Sequence, residues 1–256
     1  MADPDLVRRV HRNLMEVSSW FGEDEGGDAL WHEDELFFAA PTPLPFLNGA
    51  MRDHADTDAD AFIGRAREYF AARDRGFVVF GHPGDPAVER AAVAAGLLEV
   101  MARYPAMVCV APLPELGGDI RLVEDQGAAA AYWRICDEAY PSVGLPPGLF
   151  TESFAPAGLL PGERSAACLG SRAGEPVACA SVYVAVGVGM VGWVGALPAA
   201  RGLGLAAACT VWATNRAFAM GADVASLQAS EMGEPIYRRL GYEELFSYRL
   251  LGSVPD

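Results

Sequence analysis

Lysine is absent from this 256-residue chain: it has 19 basic residues, all arginine, against 34 acidic ones, and a formal net charge of −15 at pH 7. A chain this acidic repels phosphate backbones, so we predict no nucleic-acid partner. A long uniformly apolar run is also missing. The most apolar stretch, 177–197, alternates small and β-branched residues and contains four glycines, which predicts strands and not a membrane-spanning helix.

Cysteine is sparse, and its pattern excludes further classes. The five cysteines form no CxxC pair, and no histidine lies at ligand spacing from them. This argues against a disulfide framework and a zinc site, and we predict no metal. The N-terminal segment is charged and amphipathic and lacks the apolar core of a signal peptide. We therefore expect a soluble cytoplasmic protein with reduced thiols.

Apolar residues make up 52% of the chain and charged residues 21%, which predicts a well-formed core. The alternation of helical and strand patterns predicts an α/β (α+β) fold. A helix, strand, helix, glycine, strand order in 57–110 recurs in 204–251, which suggests an internal duplication. Prolines and glycines in 111–118 predict a linker between one domain at 1–112 and another at 119–256.

A glycine turn between an apolar strand and a helix is the sharpest motif. It runs from Leu197 to Ala208 and contains Arg201-Gly202-Leu203-Gly204. Glycine permits positive φ and close backbone approach. Successive N–H groups beside the positive end of a helix dipole would form a cradle for a pyrophosphate, with an arginine at its rim. The alternative is a tight strand-to-helix turn that binds nothing.

The segment 202–207 also satisfies G-x-G-x-x-A, the dinucleotide-binding fingerprint. Asp223 lies at about the right distance for the ribose-binding acid, but it precedes the next strand instead of following it. Only about fifty residues remain after the motif, too few for the rest of a doubly wound nucleotide domain. We therefore reject a hydride-transfer function.

Two motifs together resemble the GNAT superfamily of N-acetyltransferases. Arg201-x-x-Gly204-x-Ala206 resembles its acyl-CoA signature, R/Q-x-x-G-x-G/A. Residues 227–242 resemble its second signature, a strand followed by a short helix that carries a tyrosine, here Tyr237, and then x-x-x-Gly-aromatic. The resemblance covers roughly 119–251. The first half resembles, more weakly, the degenerate N-terminal half of tandem members and has no counterpart of the glycine turn.

The resemblance implies a mixed central sheet flanked by helices, in two tandem units, and acetyl-CoA as cosubstrate. The pantetheine arm would pair with the backbone at the end of the strand before the turn, unless this is an ordinary central strand, and the amides of the turn would hold the pyrophosphate. Ser230 would lie near pantetheine or cap the following helix. The cofactor-binding residues implied are Ala196, Leu197, Arg201, Gly202, Leu203, Gly204, Leu205, Ala206 and Ser230.

Tyr237 is the catalytic residue that the resemblance implies. Its phenol would hydrogen-bond to, or protonate, the departing thiolate, and the alternative is a tyrosine that packs the short helix on the sheet. The amine must also lose a proton, which for an alkyl amine of pKa near 10.4 costs about 4–5 kcal/mol at pH 7. No spacing selects a base. The candidate carboxylates are Glu231, Glu234, Glu152 and Asp137.

The reaction predicted is direct transfer of an acetyl group to a primary amine of a small-molecule acceptor within a ternary complex. No cysteine lies in a recognisable nucleophile context, which argues against a covalent acetyl-enzyme. The four histidines all lie in the first half, where surface or core roles are expected. A non-catalytic acyl-CoA-binding sensor or interaction module is the alternative. We expect no membrane partner and leave a homodimer open.

Overall fold

Helices and strands alternate along the chain, as the sequence patterns predict. The computed structural model describes residues 3–24, 27–55, 58–154 and 162–253. Two compact units form: unit 1 comprises Met1–Ala106 and Glu244–Asp256, and unit 2 comprises Met107–Glu243. Within the described ranges, no helix combines the length and the apolar character needed to cross a bilayer.

The elements are numbered in chain order. The first ones are α1 (Pro4–Asp24), β1 (Asp28–His32), β2 (Glu35–Ala39), β3 (Asn48–Arg52), α2 (Ala59–Ala71), β4 (Phe77–Gly81), α3 (Pro86–Ala94) and β5 (Leu98–Cys109). The later ones are β6 (Asp119–Leu122), α4 (Gln126–Ala139), α5 (Leu149–Ser153), β7 (Ser165–Arg172), β8 (Glu175–Ala185), β9 (Val188–Ala196), α6 (Leu205–Ala219), β10 (Val224–Gln228), α7 (Glu234–Leu240) and β11 (Glu243–Ser253). Short 3-10 turns lie at Pro45–Leu47, Tyr140–Val143 and Pro198–Ala200.

Unit 1 is a mixed sheet with the strand order β1-β2-β3-β4-β11-β5. The first three strands are antiparallel neighbours, and α2 then crosses over so that β4 runs parallel to β3. The helix forms because its apolar residues recur at helical spacing and face the sheet, with Phe62 and Phe70 fully buried. The ring of Phe70 stacks on that of Phe77 with centroids 4.6 Å apart, which fixes α2 against β4.

Unit 2 repeats this plan. Its strand order is β6-β7-β8-β9-β10, and the end of β5 follows. A hairpin joins β7 and β8, and Ala173 and Gly174 in its turn have φ of +52° and +85°, as a type I′ turn requires. Helix α6 then crosses over, and β10 runs parallel to β9. A Cβ on Gly189 would collide with Ala217, so this glycine lets α6 lie close on β9.

The predicted α/β fold with two tandem units is therefore confirmed, and the repeated order α2-β4-α3-β5 and α6-β10-α7-β11 agrees with the suggested duplication. The compact units differ from the predicted domains in two places. Residues 244–256 group with unit 1 because β11 pairs with β4, from Arg249 opposite Gly81 onward. The predicted linker falls inside unit 2, where the Leu113 amide donates to Asn215 Oδ1 at 2.7 Å.

Candidate cofactor site

The glycine turn of unit 2 has the backbone geometry that its sequence predicts. Gly202 and Gly204 have φ of +78° and +79°, in the left-handed region that L side chains rarely adopt. A Cβ at either position would meet no atom within 4 Å. Conformation, and not crowding, is therefore what demands glycine here, and the space in front of the turn is open.

The amides that follow the turn are available to a ligand. Helix α6 starts with Gly204 as its N-cap and no side chain caps it. In the part of the chain that the structure describes, the N–H groups from Gly202 to Ala207 have no hydrogen-bond acceptor, and the first bonded amide is that of Ala208, 2.9 Å from Gly204 O. Uncapped N–H groups at the positive end of a helix dipole bind anions, so these residues fit a diphosphate.

Arg201 stands beside this turn, and its side chain contacts protein atoms. Its Nη2 donates to Ala139 O at 3.2 Å and to Ser142 Oγ at 3.0 Å. Both acceptors belong to the end of α4 and the 3-10 turn behind it. The arginine predicted to border the phosphates is therefore also a link to another segment of unit 2.

The two parallel strands before and after α6, β9 and β10, pair with each other over a short length only. Pairing between β9 and β10 covers Val188 to Met190 only, and β9 continues for six more residues along β8. Ala196, at its end, lies opposite Ala178, and the Leu197 amide donates to Val177 O at 2.9 Å. Beyond Met190 the edge of β9 that faces β10 has no pairing with it, and we call this unpaired stretch the gap. The sequence predicts the pantetheine arm there.

A bulge in β9, which sequence reasoning missed, lies at the same level. Trp193 has φ of +47°, a strained value for a bulky residue, and the pairing register with β8 shifts between Cys179 and Ser181. The carbonyl of Trp193 accepts the Tyr132 hydroxyl at 3.2 Å, and the thiols of Cys136 and Cys179 lie 3.9 and 3.6 Å from it. No local signal predicts the bulge, because a tryptophan has no preference for positive φ.

The Trp193 ring completes a cluster that we call the aromatic wall. Its members come from α4, the turn after it, α5 and β9: Trp133, Tyr140, Phe150, Phe154 and Trp193. The Trp193 ring centroid lies 5.1 Å from that of Phe150 and 5.7 Å from that of Tyr140. These aromatics were visible in the sequence, but their spacing gives no single periodicity that would unite them.

Ser230 and Tyr237 come together at the end of β10. The Ser230 hydroxyl accepts the Gly233 amide at 3.2 Å, within the turn that leads into α7, whereas α7 itself starts without a side-chain cap. The Tyr237 ring lies directly over Gly233, since a Cβ there would be 2.7 Å from the ring carbon Cε2. Tyr237 is partly exposed and also packs against the core of unit 2.

A second tyrosine beside it is buried and unsuited to proton transfer. Tyr242 is 2% exposed, its ring centroid lies 6.1 Å from that of Tyr237, and its hydroxyl lies 2.7 Å from Thr214 Oγ1. Burial raises the pKa of Tyr242 far above its ordinary value. The Tyr242 hydroxyl therefore links the residues after α7 to α6. Of these two tyrosines, only Tyr237 has a surface that a ligand could reach.

Two of the candidate bases already have structural partners. Asp137 accepts the amides of Phe150 and Thr151 at 2.8 and 3.0 Å, which caps α5. Glu234 pairs with Arg238 at 2.7 Å within α7. Glu152 and Glu231 are exposed, and the geometry selects neither.

Unit 1 has the same crossover without the open turn. The carboxylate of Asp58 accepts the amides of Asp60 and Ala61 at 2.9 and 3.4 Å and so caps α2. Arg52 at the end of β3 forms a buried bidentate ion pair with Asp85 in the loop after β4, at 2.5 and 2.8 Å. Both contacts fill the places that are open in unit 2.

One group of possible metal ligands occurs among the described residues: Asp34, Asp53 and His54. Asp53 also lies 3.4 Å from Arg8 and 3.6 Å from Arg12. These guanidinium groups already balance the carboxylate charge, so the group does not resemble a built cation site.

No protein-family model matches the sequence, and no curated protein shows significant similarity to it. Solved structures do. A GCN5-related N-acetyltransferase from Kribbella flavida matches with a TM-score of 0.74 and 23% identity over 95% of each chain. A second, from Sphaerobacter thermophilus, has a TM-score of 0.59 and 14% identity over 94% of this chain and 91% of its own.

A tandem GNAT protein from the clavulanic acid biosynthesis pathway also matches, with a TM-score of 0.58 and 13% identity over 86% of this chain and 78% of its own. At these identities the likeness establishes the fold, and the resemblance read from the two motifs is confirmed at that level. This chain has the fold of the GCN5-related N-acetyltransferases. That its N-terminal half is degenerate stays a prediction.

Proposed function

We propose that unit 2 binds acetyl-CoA and transfers its acetyl group to the primary amine of a small molecule. The observation that carries this proposal is the open start of α6, where the N–H groups from Gly202 to Ala207 have no acceptor within the described ranges. The diphosphate of coenzyme A is an anion that such a helix N-terminus binds. The fold shared with N-acetyltransferases supports acyl transfer as the reaction class.

The gap beside β9 supports the path of the pantetheine arm. Ala196 and Leu197 lie beyond the last residue of β9 that pairs with β10, Met190. A ligand amide in the gap can hydrogen-bond to the strand edge there, as an added strand would. Its thioester end would then lie toward the Trp193 bulge and the end of β10.

Tyr237 is the proposed hydrogen-bond donor to the leaving thiolate. Acetyl-CoA provides an activated acetyl thioester, and the amine nitrogen forms a C–N bond as the C–S bond breaks and sulfur takes up the electron pair. The Tyr237 hydroxyl donates a hydrogen bond to that sulfur. Full proton transfer from a phenol of pKa about 10 to a thiolate of pKa about 8.5 would cost roughly 2 kcal/mol, so we assign Tyr237 charge stabilisation first and proton transfer second.

The acceptor amine loses its own proton to water or to an exposed carboxylate. Asp137 and Glu234 are engaged elsewhere, which leaves Glu152 and Glu231 as the side chains free of those caps and pairs. The net charge of −15 favours a cationic small acceptor over one that is bound to nucleic acid. The free, buried cysteines fit the cytoplasm as its place of action.

Titration calorimetry and an amine panel test this proposal. We expect coenzyme A and acetyl-CoA to bind the purified protein at one site, and at least one small primary amine to be acetylated. Tyr237→Phe should retain acetyl-CoA binding and lose turnover by about 10²-fold, because only the hydroxyl is removed. Absence of coenzyme A binding would contradict the whole proposal.

A non-catalytic acyl-CoA sensor is the second candidate, and the engagement of Asp137 and Glu234 in structural contacts favours it. The same experiments separate the two. A protein that binds acetyl-CoA tightly, acetylates no amine in the panel and is indifferent to Tyr237→Phe would be the sensor.

A further inference from the structure

Arg201 connects the glycine turn to a segment that is distant in sequence. Its Nη2 donates to Ala139 O, the last carbonyl of α4, and to Ser142 Oγ, at 3.2 and 3.0 Å. The Ser142 hydroxyl itself donates to Ala139 O at 2.6 Å. The three groups therefore form a closed set of hydrogen bonds in which the guanidinium and the Ser142 hydroxyl together satisfy the last carbonyl of α4.

This set of hydrogen bonds fixes the position of one member of the aromatic wall. Tyr140 lies between the two residues that Arg201 contacts, and its ring packs on Phe150 and Trp193 with centroids 5.1 and 5.7 Å away. Trp193 in turn occupies the strained bulge of β9. Arg201 thus directly precedes the uncapped amides of the turn in the chain, and its side chain is hydrogen-bonded to the residues on either side of Tyr140 in the aromatic wall.

We propose that Arg201 is a positioning residue that acts through Ala139 and Ser142 to hold the 3-10 turn Tyr140–Val143, and with it the aromatic wall, against the glycine turn. The diphosphate is then held by main-chain N–H groups and not by this side chain. The inference rests on the proposed function in one respect, because it gives the arginine of the acyl-CoA signature a role other than contact with the diphosphate.

Hydrogen exchange in the ligand-free protein tests the positioning role without any ligand. In Arg201→Ala, amides of residues 140–153 should exchange about tenfold faster, as expected for the loss of one or two hydrogen bonds. Ser142→Ala should give a smaller acceleration, and Arg201→Ala made in that background should add less than it does alone, because the two side chains share one contact. Arg216→Ala, which removes an exposed arginine at the other end of α6, is the matched control and should change nothing there.

Two further readouts separate positioning from phosphate binding. Arg201→Lys should restore most of the protection at 140–153, a rescue that a loss of general stability would not show. The dissociation constant for coenzyme A, measured by calorimetry, should rise by less than about fivefold in Arg201→Ala, since a charged contact to phosphate would be worth more than this.

Unchanged exchange at 140–153 in Arg201→Ala would overturn the proposal. An affinity loss for coenzyme A above about fivefold would also overturn it, whatever the exchange shows, because the guanidinium would then be a phosphate ligand. Failure of the wild-type protein to bind coenzyme A would contradict the proposed function, but the exchange experiment would still decide whether Arg201 holds the turn.

Discussion

The crossover helices of the two units begin in opposite ways. In unit 1 the carboxylate of Asp58 accepts the first amides of α2, so an acidic side chain of the protein occupies the positive end of the dipole. In unit 2 the residue at that place is Gly204, and the first amides of α6 have no acceptor among the described residues. The same topology thus has a side-chain cap in one unit and an uncapped helix start in the other, and the uncapped start is where we propose that an anion binds.

The ends of the parallel strands that flank these helices also differ between the two units. At the end of β3 the Arg52 side chain reaches Asp85 after β4, and both are almost fully buried, so the mouth between the parallel strands is closed by an ion pair. In unit 2 the pairing of β9 and β10 stops at Met190, and in unit 1 that of β3 and β4 stops at Ala50, so the buried ion pair and not the length of the pairing distinguishes the two units. A fold can therefore keep its architecture while one helix cap and one ion pair differ between its two copies, and we expect these two contacts to decide whether a long ligand fits.

Breaking the buried Arg52–Asp85 ion pair of unit 1 should have the largest effect on the free energy of unfolding. We expect Arg52→Ala to lower the free energy of unfolding by about 3–5 kcal/mol, because it leaves a buried carboxylate without its partner. Denaturant titration measures the loss. Arg103→Ala, which breaks a pair with Glu244 whose side chains are 47% and 27% exposed, is the control and should cost below about 1 kcal/mol. Equal losses would mean that burial does not set the value of these pairs.

Obstructing the glycine turn of unit 2 should have the second largest effect, which is on coenzyme A affinity. Gly204→Ala forces a side chain into φ +79° and places its Cβ in the open space before the amides, so coenzyme A affinity should fall at least about tenfold. Gly221→Ala is a matched control, since Gly221 has φ +90° and open space too but lies behind the other end of α6. Both variants should lose about 1–2 kcal/mol of stability from strain. If the control lost affinity equally, destabilisation and not the cradle would explain the result.

A pair of buried histidines makes the stability of unit 1 depend on pH. His11 donates from Nε2 to Arg52 O at 3.0 Å, lies 3.1 Å from the Tyr248 hydroxyl, and its ring centroid is 4.3 Å from that of His82. Burial lowers the pKa of both histidines, although the nearby charge of Asp85 partly opposes the shift for His82.

Because the unfolded histidines keep a pKa near 6.5, the unfolded state binds more protons than the folded state below that pH. Stability should therefore be full above about pH 6.5 and fall as the solution is acidified, by up to about 1.4 kcal/mol per pH unit for each histidine. Denaturant titrations between pH 7.5 and 5.5 measure this slope. His82→Gln should reduce it, because it removes one of the two buried groups whose pKa is lowered. A slope indifferent to His82→Gln would show that other groups carry the pH dependence.

The sequence predicted those parts of the molecule that depend on local chemistry. The glycine turn was predictable because glycine is the residue that adopts positive φ readily, as Gly202 and Gly204 do. The α/β fold was predictable because the periodicity of apolar residues is a local property of the sequence. The partner of β11 was not, since several strand edges of similar character compete for it. The Trp193 bulge and the contacts of Arg201 were equally hidden, because each depends on residues that are distant in the chain.

Weakening the cap of unit 1 should have the smallest effect and sharpens the comparison most directly. Asp58→Ala exposes the first amides of α2 and should cost about 1 kcal/mol of unfolding free energy. It should not create a coenzyme A site, because Asp60 still places a negative charge in the first turn and the Arg52–Asp85 pair still closes the strand ends. Calorimetry on Asp58→Ala should therefore show the stoichiometry of the wild type. A second binding event in this variant would show that the cap alone separates the two units, and that the ion pair contributes nothing to the exclusion of ligand.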